Sequence, residues 1–159
     1  AKVDALAREG APFADALAEL AEASGTPAPD ALSAVADSGI PSAVSLRTSF
    51  GDLASEAVKA SVRETASEDG GVGARLGAFL SSQVATRALE PQEGDSANAV
   101  LSRAQAAVDA EDFAAALAEV STLSGAAAQT IAPWVDMAQS RLSALDALDG
   151  LSATLSPSN

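Results

Sequence analysis

The sequence predicts an all-α fold, a bundle of about six to seven short to medium helices. Three observations lead to this prediction. Hydrophobic residues fill 48% of the 159 positions, while aromatic residues fill only 3%. Alanine makes up much of the hydrophobic fraction. Alanine is the strongest helix former, whereas sheets favour β-branched and aromatic side chains. Apolar residues also recur at helical spacing, in segments that glycine or proline separates.

The N-terminal part is predicted to contain three helices. The first covers about 12–23, with Pro12 at the first helical position, where a missing N–H is tolerated. A short helix over about 30–37 ends at a Gly-Ile-Pro sequence. Helical spacing then continues over about 42–66, although Gly51 could divide this segment into two helices.

The C-terminal part is predicted to contain four helices, over about 72–88, 97–110, 113–123 and 126–148. Asp95 or Ser96, and then Asp112, stand where N-caps belong, and Gly125 stands where a helix would end. Pro133 interrupts or begins the last helix. The pair of helices between residues 97 and 123 resembles the helical hairpins of repeat scaffolds, although a stable array needs about three repeats.

The sequence from Glu68 to Gly71, Glu-Asp-Gly-Gly, is the clearest internal break. We therefore expect an N-terminal helical segment over residues 1–70, a second helical region over 71–150 and a disordered tail over 151–159. Because the chain begins without methionine, we interpret it as a fragment or processed form of a longer protein.

Charge and residue types exclude several functions. The net charge of −13 disfavours nucleic acid as a partner, because a phosphate backbone would be repelled. Without histidine or cysteine the chain has no Ser-His-Asp triad, no thiolate nucleophile and no ordinary zinc ligands. We expect no enzymatic activity, no metal and no cofactor. No apolar run is long enough to predict a membrane span, and the first residues do not show the pattern expected of a signal peptide.

The segment 72–88 contains two arginines, Arg75 and Arg87, and no acid. With Phe79 and Leu80 on its predicted apolar face, it could bind a lipid surface or a partner. The ordinary alternative is a helix of the protein core.

Small residues and a lone tryptophan suggest close contacts. Gly73 and Gly77 are spaced as in helix pairs whose backbones approach closely, either in a core or across a dimer. Trp134 lies at helical spacing with other apolar residues, including Leu142. Both side chains are candidates for core packing or for a dimer contact, since single tryptophans also anchor interfaces.

A series of residues whose order and spacing are characteristic when taken together begins in the segment 72–88 and continues to Leu142. It consists of Leu76, Gly77, Phe79, Leu80 and Gln83, then Arg87-Ala88-Leu89, Pro91 and Glu93-Gly94, then Leu101-Ser102-Arg103-Ala104, Asp112-Phe113, Ala116-Leu117-Ala118-Glu119-Val120, Leu123, Trp134, Ala138 and Arg141-Leu142. Over residues 72–145 this series resembles the C-terminal region of the mitofilin family, in its bacterial, alphaproteobacterial-type form.

The resemblance implies a structural domain of an inner-membrane protein with one membrane span and a coiled coil, which faces the periplasm. Mitofilins shape intracytoplasmic membranes or cristae and form contact sites. The implied partners are a second copy of the chain, a membrane surface and an outer-membrane assembly protein. The alternative is a soluble, repeat-like helical adaptor that binds a protein or peptide.

Overall fold

The computed structural model describes residues 2–68 and 93–155. In this part of the chain seven helices and no strand are present, which confirms the all-α prediction. The helices are α1 (Lys2–Glu9), α2 (Ala14–Ser24), α3 (Asp30–Ser33), α4 (Ala43–Glu68), α5 (Ala97–Asp109), α6 (Phe113–Val120) and α7 (Gly125–Leu155). The predicted helix over 72–88 lies outside the described residues.

The chain forms two compact units. Unit 1 combines the residues up to Ala43 with those from Met137 onward, and unit 2 runs from Val44 to Asp136. Helix α7 therefore contributes its first part to unit 2 and its last part to unit 1. The predicted division between residues 70 and 71 falls outside the described residues and stays a prediction.

The core of unit 1 is built from small and medium apolar side chains around one aromatic ring. It contains Val3, Ala7, Phe13, Ala16, Leu17, Leu32, Val35, Ala36, Ile40, Ala144, Leu148 and Leu151. Gly39 lets two loops of this unit approach closely: its φ is +83°, and a Cβ there would collide with the carbonyl group of Gly10. Only glycine fits that combination of backbone conformation and contact.

Unit 2 contains a packed helical hairpin, α5 and α6, and the long helix α4. Its buried apolar residues include Leu46, Phe50, Ala57, Ala104, Val108, Phe113, Ala116, Val120, Ala127, Ile131 and Trp134. The predicted caps are confirmed. The Ser96 hydroxyl accepts a hydrogen bond from the Ala99 N–H at 3.2 Å, and the Asp112 carboxylate accepts one from Ala115 at 2.9 Å.

Several helix boundaries differ from the predictions in the N-terminal part. Helix α1 was not predicted, because a helix this short shows its pattern in only two buried residues, Val3 and Ala7. Pro12 is not helical: the Phe13 N–H donates to the Ala36 carbonyl at 2.8 Å, and α2 begins at Ala14, two residues after the predicted start. Gly51 does not divide α4, since it is exposed and its missing side chain leaves no gap in a core.

Two differences concern the C-terminal part. Gly125, expected at the end of a helix, begins α7 with a φ of +58°. The last helix also continues to Leu155, past the start of the tail predicted from residue 151. The physical reason is apolar burial: Leu148 and Leu151 lie one turn apart and are 2% and 7% exposed, so the helix keeps a packed face.

Candidate functional site

Most of the residues selected from the sequence lie outside the described part of the chain. These are Arg75, Phe79, Leu80 and Arg87, the candidates for lipid or partner binding, and Gly73 and Gly77, the candidates for a close helix contact. The structure brings none of them into a described site, and their roles remain predictions.

Trp134 is a core residue of unit 2, with no exposed surface. Its ring meets that of Phe50 edge to face, with the centroids 4.8 Å apart and the planes at 73°. Its indole N–H donates a hydrogen bond to the Leu46 carbonyl at 2.9 Å, which satisfies the one polar atom that burial would otherwise leave unpaired. Leu142, in the unit 1 part of α7, is half-buried.

A charged contact joins the two helices of the α5–α6 hairpin. The Arg103 guanidinium donates from Nε to the Glu119 carboxylate at 2.9 Å and from Nη1 to the Gly94 carbonyl at 2.9 Å. Both charged side chains are about two-thirds buried, at 29% and 32% exposure, which weakens screening by solvent. This contact fixes the loop before α5 onto the hairpin.

The start of α7 is capped from a distant part of the chain. The Ala126 N–H donates to Glu64 Oε2 at 3.0 Å, so the carboxylate occupies the end of the helix where free N–H groups and the helix dipole favour negative charge. A Cβ at Gly125 would collide with the same carboxylate, so a larger residue there would displace Glu64 from the helix end. Glu64 therefore caps a helix that lies 62 positions away in the sequence, so the residues around α7 could not predict this cap.

Unit 1 has an open apolar cleft, which we call the leucine groove. It has a volume of about 290 Å³ and is lined by Val3 and Asp4 of α1, Leu20 of α2, and Leu148, Leu151, Ser152 and Leu155 of α7. Val3, Leu148 and Leu151 are buried, and Leu20 and Leu155 are half-buried. The groove therefore offers contact area to an apolar ligand.

A second cleft of unit 1 is more polar and has a volume of about 360 Å³. It is lined by Lys2, Leu6, Pro12, Phe13, Ala14, Asp15, Ala16 and Asp37. Because charges of both signs line it and Phe13 is already packed in the core, it offers less apolar surface than the leucine groove.

Exposed ion pairs connect α1 to neighbouring helices of unit 1. Lys2 Nζ lies 2.9 Å from Glu19 Oε2, and the Arg8 guanidinium contacts Asp149 Oδ1 at 3.5 Å. Within α1, Arg8 Nε donates to Asp4 Oδ1 at 2.7 Å, and this hydrogen bond is the main reason why the pKa of Arg8 is raised. All of these side chains are exposed, so each pair adds little to the free energy of unfolding. The pairs do place the basic side chains of α1 beside acidic ones.

In residues 2–68 and 93–155 no polar or charged side chain is buried. The same residues contain no group of three or more acids that could hold a metal ion.

The comparisons with known proteins agree with this description. The family model named Mitofilin, described as a mitochondrial inner membrane protein, matches residues 11–156. The chain belongs to the mitofilin family. Mitofilins are structural proteins that organise the inner membrane. Neither a curated protein nor a solved structure matches the chain.

The mitofilin match extends well beyond the residues that first suggested it. The resemblance noted from sequence covers 72–145, whereas the match begins at residue 11 and includes parts of both units. Helix α1 precedes the matched range, so Val3 and Asp4 add a wall to the leucine groove from outside the mitofilin match. None of the helices that the structure describes is long and apolar enough to cross a membrane.

Sequence reasoning missed the leucine groove in this mitofilin chain. Its strongest signal was the spacing of Leu148, Leu151 and Leu155 by three and four residues, which is helical spacing. The tail predicted from residue 151 separated Leu151 and Leu155 from that helix. The second wall, α1, is too short for its pattern to stand out, so the groove appears only when both helices are placed together.

Proposed function

We propose that this chain is a non-enzymatic scaffold domain of an inner-membrane protein, which organises internal membranes through self-association and through binding a partner or lipid. The match to the mitofilin family carries this proposal, because it covers 11–156 and thus most of both units. The family supplies the inner-membrane role, and self-association and partner binding are the mechanism that we add.

The physical character of the two units supports a scaffold. Side chains that are buried in the described residues are all apolar, and charge is confined to the surface, where it can meet other molecules. Helices packed in this way present their outer faces to other molecules. A scaffold needs such faces, whereas an enzyme needs a positioned reactive group.

We further propose that the domain lies on the periplasmic side of a bacterial inner membrane, and that one partner belongs to the outer-membrane assembly machinery. This location and partner rest on the resemblance of residues 72–145 to the alphaproteobacterial-type mitofilin C-terminus. A net charge of −13 is consistent with a domain kept at a distance from anionic lipid except where a basic segment contacts it.

The segment 72–88 is our candidate for that contact. Its composition is unusual in this acidic chain, because Arg75 and Arg87 are accompanied by no carboxylate. Phe79 and Leu80 would supply apolar contacts with a lipid surface or a partner, and Gly73 and Gly77 would permit a close approach of a second copy.

The solution mass of the chain over a concentration series, measured by sedimentation, tests self-association. We expect a concentration-dependent dimer that Phe79→Asp converts into a folded monomer, because a carboxylate at an apolar contact is costly to bury. The matched control is Ala85→Asp, which the helical spacing predicts on the opposite side. A wild-type monomer at every concentration would contradict the self-association part of the proposal.

Flotation with vesicles distinguishes the scaffold from the soluble adaptor. We expect the wild-type chain to float with anionic vesicles at low salt and less so at physiological salt, because each arginine near such a surface contributes about 1 kcal/mol. Replacing Arg75 and Arg87 by glutamine should abolish flotation. A chain that never floats and never self-associates favours the adaptor.

A further inference from the structure

Helix α1 ends through hydrogen bonds within its own segment. The Gly10 N–H donates to the Ala7 carbonyl at 3.2 Å, and the Ala11 N–H donates to the Leu6 carbonyl at 3.0 Å. Together with the φ of +77° at Gly10, these bonds form the motif that commonly ends a helix at a left-handed glycine. The backbone hydrogen bonds that end α1 are therefore local, and no other helix supplies them.

Few side chains hold α1 on the rest of unit 1. Val3 and Ala7 are buried, at 5% and 0% exposure, and Leu6 is half-buried against the same core. An isolated helix of eight residues is not stable in water, so α1 stays helical only while these three side chains are docked. A segment with so few buried contacts opens at a lower free energy than the core on which it rests.

The connection from α1 to the rest of unit 1 is short. The next backbone hydrogen bond to another element is made by Phe13, whose N–H donates to the Ala36 carbonyl at 2.8 Å. Gly10 lies against Gly39 and so belongs to the docked surface of α1. A change of backbone conformation at residues 11 and 12 is therefore enough to carry α1 away while Phe13 stays in the core.

The surface that receives α1 is complementary to it in charge. Lys2 Nζ lies 2.9 Å from the carboxylate of Glu19 in α2, and the Arg8 guanidinium lies 3.5 Å from that of Asp149 in α7. Both acids belong to the range 11–156 that matches the mitofilin family, whereas α1 precedes that range. The mitofilin part of unit 1 thus has a surface for a helix with three apolar residues on one face and a basic residue near each end.

We propose that α1 is exchanged between two copies of this chain, so that the α1 of each copy docks on α2 and the end of α7 of the other. Exchange of an identical element is a low-cost route to a dimer, because every contact that holds α1 within one chain forms again between the two chains. Only the connection at residues 11 and 12 must change. This inference rests on the proposed self-association, for which it names a second surface besides the segment 72–88.

Crosslinking between two single-cysteine chains tests the exchange. The chain contains no cysteine, so Lys2→Cys in an affinity-tagged copy and Glu19→Cys in an untagged copy each supply one thiol. The two copies are mixed, incubated and treated briefly with a short bis-maleimide, and the tagged–untagged product is quantified by mass spectrometry. We expect at least about ten times more of this product than from a control mixture, in which Asp52→Cys, at an exposed acid of unit 2, replaces Glu19→Cys.

A matched pair of substitutions on α1 shows whether docking causes the crosslink. Ala7→Glu, added to the tagged copy, places a carboxylate at a fully buried position and should remove the excess product. Ala5→Glu, at an exposed position of the same helix, should leave the product within about twofold of its original amount. The untagged copy that receives α1 is the same in both mixtures, and circular dichroism checks that each tagged copy loses no more helix than α1 itself.

Two results would overturn the exchange: a product no more abundant than in the control mixture, or an excess that persists with Ala7→Glu. Sedimentation of the same mixtures separates this failure from that of the proposed function. A dimer without the crosslink contradicts only the exchange, whereas a chain that stays monomeric contradicts self-association as a whole. Crosslinking that persists when both copies carry Phe79→Asp supports the exchange, since that association does not depend on the segment 72–88.

Discussion

Unit 1 and unit 2 bury their apolar residues in different ways. Unit 2 places its only tryptophan at the centre of its buried residues, against Phe50, and ties it to the Leu46 carbonyl. Unit 1 relies on smaller side chains around Phe13 and leaves leucines half-buried at a groove. In the described residues, unit 2 packs around an aromatic pair, whereas part of the aliphatic packing of unit 1 borders an open groove.

The largest loss of stability is expected when the tryptophan of the aromatic pair in unit 2 is removed. Trp134→Ala should lower the free energy of unfolding by about 3–5 kcal/mol, because it loses apolar burial and leaves a cavity. Urea unfolding with hydrogen exchange at amides of α4 and α7 measures this. Leu155→Ala, at the half-buried edge of unit 1, should cost far less. Equal losses for the two variants would remove the distinction between the aromatic core of unit 2 and the groove edge of unit 1.

Substitutions at two glycines of unit 1, Gly39 and Gly25, test how much the close approach of two loops contributes to stability. Gly39→Ala should cost about 2 kcal/mol or more, because it combines a left-handed backbone with a collision against Gly10. Gly25→Ala is the matched control, since it has a φ of +68° and no atom near its Cβ, and should cost about 1 kcal/mol. Thermal unfolding of both variants gives the comparison. A similar cost for the two would show that the close approach of the loops contributes nothing.

The smallest loss of stability is expected for the Glu64 carboxylate, which caps α7 from a distant part of the chain. Glu64→Ala should lower the free energy of unfolding by about 1 kcal/mol and speed hydrogen exchange at Ala126, because the first turn of α7 loses its acceptor. Glu22→Ala, an exposed glutamate of α2 with no such contact, should stay within about 0.5 kcal/mol of wild type. An unchanged exchange rate at Ala126 would argue against the cap.

The sequence predicted what local chemistry controls. Helical spacing gave α2, α4, α5 and most of α7. Asp112 was correctly assigned as a cap, and Ser96 is the one of the two candidates, Asp95 and Ser96, that caps α5; an N-cap could be predicted because it depends on residues only three positions away. The hairpin of α5 and α6 followed from the short connection between them. The resemblance of the residue series in 72–145 indicated the mitofilin family, and the match over 11–156 confirmed that family.

Other features depended on residues far apart in the chain. Glu64 caps a helix 62 positions away, Trp134 bonds to a carbonyl 88 positions away, and Arg141 bonds to one 100 positions away. No local pattern distinguishes such a glutamate or arginine from one that meets only solvent. The lining of the leucine groove is of the same kind, because Val3 and Leu155 come from nearly opposite ends of the described chain.

The sequence by itself determined the helical class, most helix positions, the caps, the acidic surface and the family, since all of these follow from short-range propensity, charge and residue order. The tertiary structure decided which helix faces are buried, that the two ends of the described chain meet in unit 1, and that Leu155 edges a groove instead of lying in a tail. The physical reason is that apolar burial is a property of surfaces brought together, and residues distant in sequence supply those surfaces.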